Sequence, residues 1–296
     1  MTWSFSPEKK AVSEVKLLEA AFLGVVQGAT EFLPVSSSAH LVIFQDLIGL
    51  KEPELLLDVT LHAATLLAIV LLYRRDLYEM GRQFFFALRG LSSGQPLDSI
   101  WRAHAHFRLA AYLLAGTVPA GLAGVLFRDH LERLFGSPAA ASAMLVVTGT
   151  MLFLTRSRPS QGRQLEAFTL RDSLWIGAAQ SVALLPGISR SGATIAAGIF
   201  CGVDRDLAAR FSFLLSVPAI VGANALELGG GGLSANPGGP GIAVLLAGAL
   251  TAFATGYGAL KLLVRIVHRG NLSLFCYYCW ALGLGGLVFF LALRPA

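Results

Sequence analysis

Apolar residues run through this chain in long blocks rather than on one face of soluble-length helices. A helix that crosses a bilayer needs about 20 mostly apolar residues. Six blocks meet that need: 56–73, 107–127, 138–155, 206–228, 241–264 and 273–293. Two further apolar regions, 17–50 and 172–203, are broken by polar turns. Each reads as an apolar helix, a Pro/Ser turn and a short second helix. Residues 39–50 would make a helix about 18 Å long, well short of a hydrocarbon core of about 30 Å. Both regions are therefore expected to be re-entrant hairpins, which are permitted where irregular backbone is buried in protein or lines a cavity. The expected fold is an all-α polytopic membrane protein with six transmembrane helices plus two re-entrant helical hairpins.

Composition supports this class. The chain is 55% hydrophobic and 14% charged, with a mean hydropathy of +0.65, whereas soluble domains run near 25% charged. A net charge of +5 and a pI of 9.3 would suit nucleic acid, but the basic residues sit between apolar blocks, and no basic-aromatic motif accompanies them. The positive-inside rule accounts for them, and no nucleic-acid partner is expected. Fifteen basic residues fall on one side, in the 74–108 and 156–171 loops and at Arg205, Arg210, Lys261, Arg265 and Arg269. That side is assigned to the cytoplasm.

Threading the spans through these loops has a consequence. The first hairpin begins and ends outside, the second begins and ends inside, and three spans follow each. A single membrane domain, 1–296, would then hold two internal repeats of inverted topology, about 17–155 and 172–293. Such folds place their site near the midplane at the repeat interface. The stretch from Gly229 to Gly241 reads as an external connector, and no signal peptide is expected at the N-terminus. Cys201 reads as apolar filler. Cys276 and Cys279 form a C-x-x-C without a second Cys/His pair, so a zinc site is not expected.

The two interrupted regions look like imperfect copies. One runs Gly24-Val-Val-Gln27 to Glu31-Phe-Leu-Pro34-Val-Ser-Ser-Ser38-Ala-His40, the other Gly177-Ala-Ala-Gln180 to Pro186-Gly-Ile-Ser189-Arg190-Ser191. Ionisable groups at membrane depth are expensive and are functional candidates by default. Gln27 and Glu31, spaced i, i+4, share a helix face just before the first turn. Ser36, Ser37 and Ser38 precede one short helix, and Ser189 and Ser191 play the same part for the other. N-capping explains one of them per helix. Helix N-termini also suit phosphate, and Arg190 adds a planar fork for its oxygens. His40 beside these hydroxyls is a candidate general acid or base. Asp58 and His62, another i, i+4 pair, either support the site from behind or bond each other. His104, His106, His130 and His268 lie near span ends and are expected to be solvated.

At these residues the chain resembles a known family. Gln27-Gly-Ala-Thr-Glu31 is similar to its E/Q-x-x-x-E element, and Pro186-Gly-Ile-Ser-Arg-Ser-Gly-Ala-Thr194 has every fixed position of its P-G-x-S-R-S-x-x-T element. With the Pro34-to-His40 turn, these motifs resemble the undecaprenyl-diphosphate phosphatases of the bacitracin-resistance type. The resemblance implies hydrolysis of undecaprenyl diphosphate to the monophosphate and inorganic phosphate, recycling the lipid carrier for cell-wall synthesis. It also implies the bacterial inner membrane, a site facing the outer side, and a divalent cation, Mg²⁺ or Ca²⁺. Glu31, Ser37, His40 and Arg190 fall on the family's functional positions. Ser36, Ser38, Ser189, Ser191 and Thr194 would join Arg190 in binding phosphate, and Glu31 with Gln27 would hold the metal. The partners expected are the polyprenyl diphosphate, membrane lipids and, as an open option, a second copy of the chain.

Two catalytic routes stay open: Ser37 attacks phosphorus with His40 as its base, the favoured order, or His40 activates water. The alternative function is a transporter of prenyl phosphate lipids, since inverted repeats are a transporter architecture. The unrelated membrane lipid-phosphatase class fits poorly, because the next His after Arg190 is His268.

Overall fold

The structure is a computed structural model that describes residues 16–47, 55–159, 161–227 and 240–293. Most of the connector expected at 229–241 lies outside the described residues. The regular structure described is helical, apart from an isolated bridge between Arg163 and Val203.

Both interrupted regions fold as helix–turn–helix units. The first comprises α1 (Leu17–Phe32) and α2 (Ser37–Leu47). Three long helices follow it in the chain, α3 (Leu55–Leu72), α6 (Ala105–Leu126) and α8 (Pro138–Leu154). The second unit comprises α9 (Leu170–Val182) and α10 (Arg190–Phe200). It is followed by α11 (Arg205–Glu227), α12 (Ile242–His268) and α13 (Phe275–Val288), the last continued by a π-helical turn, Phe289–Leu293. Five helical segments among the described residues are long and apolar enough to cross a membrane, and α3 with the helix after it makes a sixth if the bent pair is one span.

That following helix corrects an expectation. The 74–108 segment, read as a loop, forms α4 (Arg74–Ser92) and α5 (Leu97–Ala103), and α4 leaves α3 at a bend of 76°. Arg74, Arg75, Arg82 and Arg89 share α4 with exposed Phe84, Phe85, Phe86 and Leu88. Such a helix is too charged to span and has the character of an interfacial amphipathic helix. A second short amphipathic helix, α7 (Arg128–Phe135), joins α6 to α8.

The packing crosses the chain. α1 lies along α12, α9 lies along α6, α8 pairs with α13, and α3 packs against both α11 and α12. Apolar surface gives helices little reason to associate in lipid, so small residues that let backbones approach decide the contacts. A Cβ at Gly24 would overlap Thr251 Oγ1 and the Gly248 carbonyl, and one at Gly177 would overlap the Gly116 carbonyl. These two glycines occupy the same place in the two sequence copies, and each seats its helix on a partner distant in the chain. A hydroxyl bond ties each seat. Thr251 Oγ1 of α12 donates to the Ala21 carbonyl at 3.0 Å, and Ser173 Oγ of α9 donates to the Tyr112 carbonyl of α6.

Polar clips hold the second unit at its far end. Arg163 donates to both Asp172 oxygens at 2.9 and 2.6 Å and to the Cys201 carbonyl at 2.8 Å, which links the start of α9 to the end of α10. Donation to the Asp172 carboxylate raises the pKa of this loop arginine above its already high value.

Candidate active site

Two serine caps set the geometry. Ser36 has φ 65°, the one positive φ outside glycine among the described residues. Such a backbone state is strained by on the order of 1 kcal/mol or more. Local bonds hold it: Ser36 Oγ accepts from Ala39 N at 3.4 Å, and the Ser36 carbonyl accepts from His40 N at 3.3 Å and His40 Nδ1 at 2.7 Å. In the second turn Gly187 takes the positive φ, 98°, and Ser189 Oγ accepts from Gly192 N at 3.1 Å. Capping of α2 by Ser36 and of α10 by Ser189 makes Ser37 and Arg190 the first residues of their helices.

Both first-turn side chains reach one carboxylate. Glu31, in the last turn of α1, is 8% exposed. Its Oε2 accepts from Ser37 Oγ at 2.6 Å and from Gln27 Nε2 at 2.9 Å, while its Oε1 pairs with Arg190 Nη2. His62 Nε2 on α3 stands 4.0 Å from Oε2. Four elements thus converge on one buried anion, with Arg190 arriving from 159 positions away. A buried charge of this kind is tolerable only when paired and hydrogen-bonded, and removing one partner costs about 3–5 kcal/mol.

The other expected residues divide around this centre. Ser38 Oγ lies 3.1 Å from Ser36 Oγ and accepts from Gly187 N at 3.4 Å, so it joins the two turns. Ser191 Oγ sits 3.2 Å from Ser189 Oγ and donates to the Leu33 carbonyl at 3.4 Å, a second tie between the turns. Thr194 faces elsewhere: its hydroxyl donates to the Arg190 carbonyl at 2.8 Å and meets Ser212 of α11. The Asp58 carbonyl accepts from His62 Nδ1 at 2.8 Å, and the Asp58 carboxylate accepts from Gln45 at 3.3 Å. The bond to the Asp58 carbonyl puts a hydrogen on His62 Nδ1 and leaves Nε2 facing Glu31.

His40 does not meet Ser37. A backbone carbonyl can only accept, so Nδ1 carries the hydrogen given to Ser36, and neutral Nε2 is an acceptor. Tyr278 Oη of α13 donates to it at 2.7 Å, and the two rings are parallel within 1°. The acceptor on Ser37 Oγ is Glu31, not His40.

Two residues that sequence reasoning passed over support the centre. Thr148 of α8 donates to the Gly187 carbonyl at 2.8 Å and accepts from Ser189 N at 3.0 Å, bracing the second turn. Tyr278 lies inside the C-x-x-C segment, where only the cysteines drew attention. Those cysteines are free and buried, and Cys279 Sγ donates to the Pro34 carbonyl at 3.5 Å. His106, expected to be solvated, instead accepts from Arg210 at 3.3 Å beside Asp76.

Apolar helices of spanning length and one buried, hydroxyl-lined ion pair at two helix N-termini define a polytopic membrane protein with chemistry suited to an anionic phosphate. The chain belongs to the family described as "Bacitracin resistance protein BacA", whose profile matches residues 20–285. A protein of Desulfatibacillum aliphaticivorans named undecaprenyl-diphosphatase is 46% identical over 272 residues, 92% of this chain and 98% of that one. Proteins of the same name from Desulfosudis oleivorans and Methanobrevibacter smithii are 45% and 39% identical, over 94% and 90% of this chain and 99% and 95% of their own.

Proposed function

We propose that this chain is an integral-membrane undecaprenyl-diphosphatase, hydrolysing undecaprenyl diphosphate to undecaprenyl phosphate and inorganic phosphate and so recycling the lipid carrier for cell-wall synthesis. The observation that carries the reading is the meeting of Ser37 and Arg190, each the first residue of a capped short helix, on the Glu31 carboxylate, in a chain whose relatives bear that name. The proposed setting is the bacterial inner membrane, with the site open to the outer side. The six spans and two re-entrant hairpins would form inverted repeats at 17–155 and 172–293. The exchange of partners, α1 with α12 and α9 with α6, supports this.

In this mechanism Arg190 and the N–H groups opening α2 and α10 hold the terminal phosphate oxygens. Ser37 Oγ bonds to the terminal phosphorus as the bond to the bridging oxygen breaks, its proton passes to Glu31, and undecaprenyl phosphate leaves. Water then cleaves the phosphoserine, releasing inorganic phosphate and restoring Ser37. Phosphoryl transfer is mainly positioning and charge stabilisation, and Glu31 Oε2, which already accepts the Ser37 hydroxyl hydrogen at 2.6 Å, is placed to take the proton. His40 keeps the turn that carries Ser37 in place through the Ser36 carbonyl.

A divalent cation, Mg²⁺ or Ca²⁺, belongs to the reading. Gln27 donates its amide nitrogen to Glu31, and its Oε1 is buried without a hydrogen-bond partner, so these two side chains would be the ones to offer oxygen donors to such a cation. Among the described residues no three His, Cys, Asp or Glu side chains gather as a metal site, so the cation would keep waters. When bound it would neutralise diphosphate oxygens.

Phosphate release by the purified protein, from undecaprenyl diphosphate against the monophosphate and with and without chelator, tests the function. Release from the diphosphate, sensitive to chelator and abolished by Ser37→Ala, is expected. Vectorial lipid movement without hydrolysis would select a carrier instead, and a Ser37→Ala enzyme keeping a substantial fraction of kcat would return the attack to water.

A further inference from the structure

His40 is 3% exposed, and both its ring nitrogens are occupied. One partner, the Ser36 carbonyl, belongs to the turn that presents Ser37. The other, Tyr278, comes from the last long helix, 238 positions away, and is 47% exposed. The histidine therefore sits between the catalytic turn and a tyrosine at the margin of the fold.

We propose that Tyr278 is a positioning residue of the diphosphatase site, acting through His40; the inference rests on the phosphatase reading above. The Ser36 carbonyl fixes Nδ1 as the protonated nitrogen, and the phenol fixes Nε2 as the acceptor and sets the plane of the ring. With its ring so held, His40 keeps its Nδ1–H on the Ser36 carbonyl, which stands in a left-handed conformation that a serine adopts only under constraint. Tyr278 thus supports the conformation of the residue next to Ser37 without touching substrate. A hydroxyl is both donor and acceptor. If His40 gains a proton at Nε2, the bond survives with its direction reversed, and the ring stays in place through either charge state. The neighbouring side chain agrees: Cys279 Sγ donates to the Pro34 carbonyl, so consecutive residues of α13 hold the first turn and the helix that follows it.

The test uses purified full-length protein in lipid nanodiscs. Tyr278→Phe removes the hydroxyl and keeps the ring. It should lower kcat about tenfold, the scale of one hydrogen bond, with KM within about twofold. The ¹⁵N signal of His40 Nε2 should move while Nδ1 stays protonated. In a His40→Gln background, which should itself lose most activity, Tyr278→Phe should have no further effect, since the two residues act as one unit. Replacing Tyr278 with 3-fluorotyrosine, which keeps the donor, should restore kcat. A Tyr278→Phe enzyme with wild-type kcat and an unmoved His40 signal overturns the inference while leaving the phosphatase reading intact. Full activity in His40→Gln alone would instead overturn the role given to His40, and Tyr278 with it. A loss of activity in Tyr278→Phe that fluorotyrosine, with its donor intact, fails to restore would mean that the loss does not come from the missing hydroxyl bond to His40, and refutes the proposal.

Discussion

Replacement of Arg190 by lysine separates charge from geometry at the centre of the site. The Arg190 side chain is 18% exposed and binds Glu31 Oε1 through Nη2, which leaves the rest of its fork for phosphate oxygens. A lysine ammonium keeps the charge as a single point on a flexible stem. It can remain on Glu31 or turn to the phosphate, but one geometry cannot serve both as the planar fork does. The change therefore removes about one charge-assisted hydrogen bond in the transition state, worth about 1.5–3 kcal/mol. At about 1.4 kcal/mol per tenfold, kcat/KM should fall roughly 10- to 150-fold. The assay is initial-rate phosphate release from undecaprenyl diphosphate by the purified variant at fixed ionic strength, with kcat and KM resolved. The thermal midpoint should change little, because the buried carboxylate keeps a cationic partner. A lysine enzyme within about threefold of wild type would show that the fork is not used, and Arg190 would then be a structural partner of Glu31.

Two further outcomes follow from the packing and the topology. Gly28→Ala should destabilise the protein by about 1–3 kcal/mol, the scale of overpacking, because a Cβ there would overlap Thr255 Oγ1 and the Ala252 carbonyl of α12; an unchanged thermal midpoint would mean that α1 and α12 are not pressed together as described. Single cysteines at Lys51 and Gly231, both outside the described residues, should label with a membrane-impermeant thiol reagent from outside, and ones at Arg89 or Gln161 should not. Labelling of Gln161 from outside would rule out the inverted arrangement.

Length and apolarity by themselves determined the long apolar helices. The expected blocks 56–73, 107–127, 138–155 and 206–228 reappear within two residues as α3, α6, α8 and α11, because a chain in lipid must satisfy its backbone within each helix. The sequence also singled out Glu31, Ser37 and Arg190 as candidates, since a carboxylate, an arginine and a serine-rich turn inside apolar runs have few structural reasons to be there. It could not tell which groups would face one another. The pairing of Arg190 with Glu31 depends on two turns meeting across 159 positions, and that meeting depends on small residues deep in other helices, such as Gly248 against α1 and Gly116 against α9. The spacing of His40 and Ser37 suggested a catalytic pair. The left-handed turn at Ser36 instead draws the ring back to its own carbonyl, and Tyr278 takes the other nitrogen. The 74–108 segment was misread for a related reason: its arginines argue against a span but say nothing against a helix at the surface, and the bend after α3 is what separates the two. Local propensity and hydropathy act over a few turns of chain. The direction of a side chain at a site built from four elements is decided by how those elements pack, and only the tertiary structure carries that.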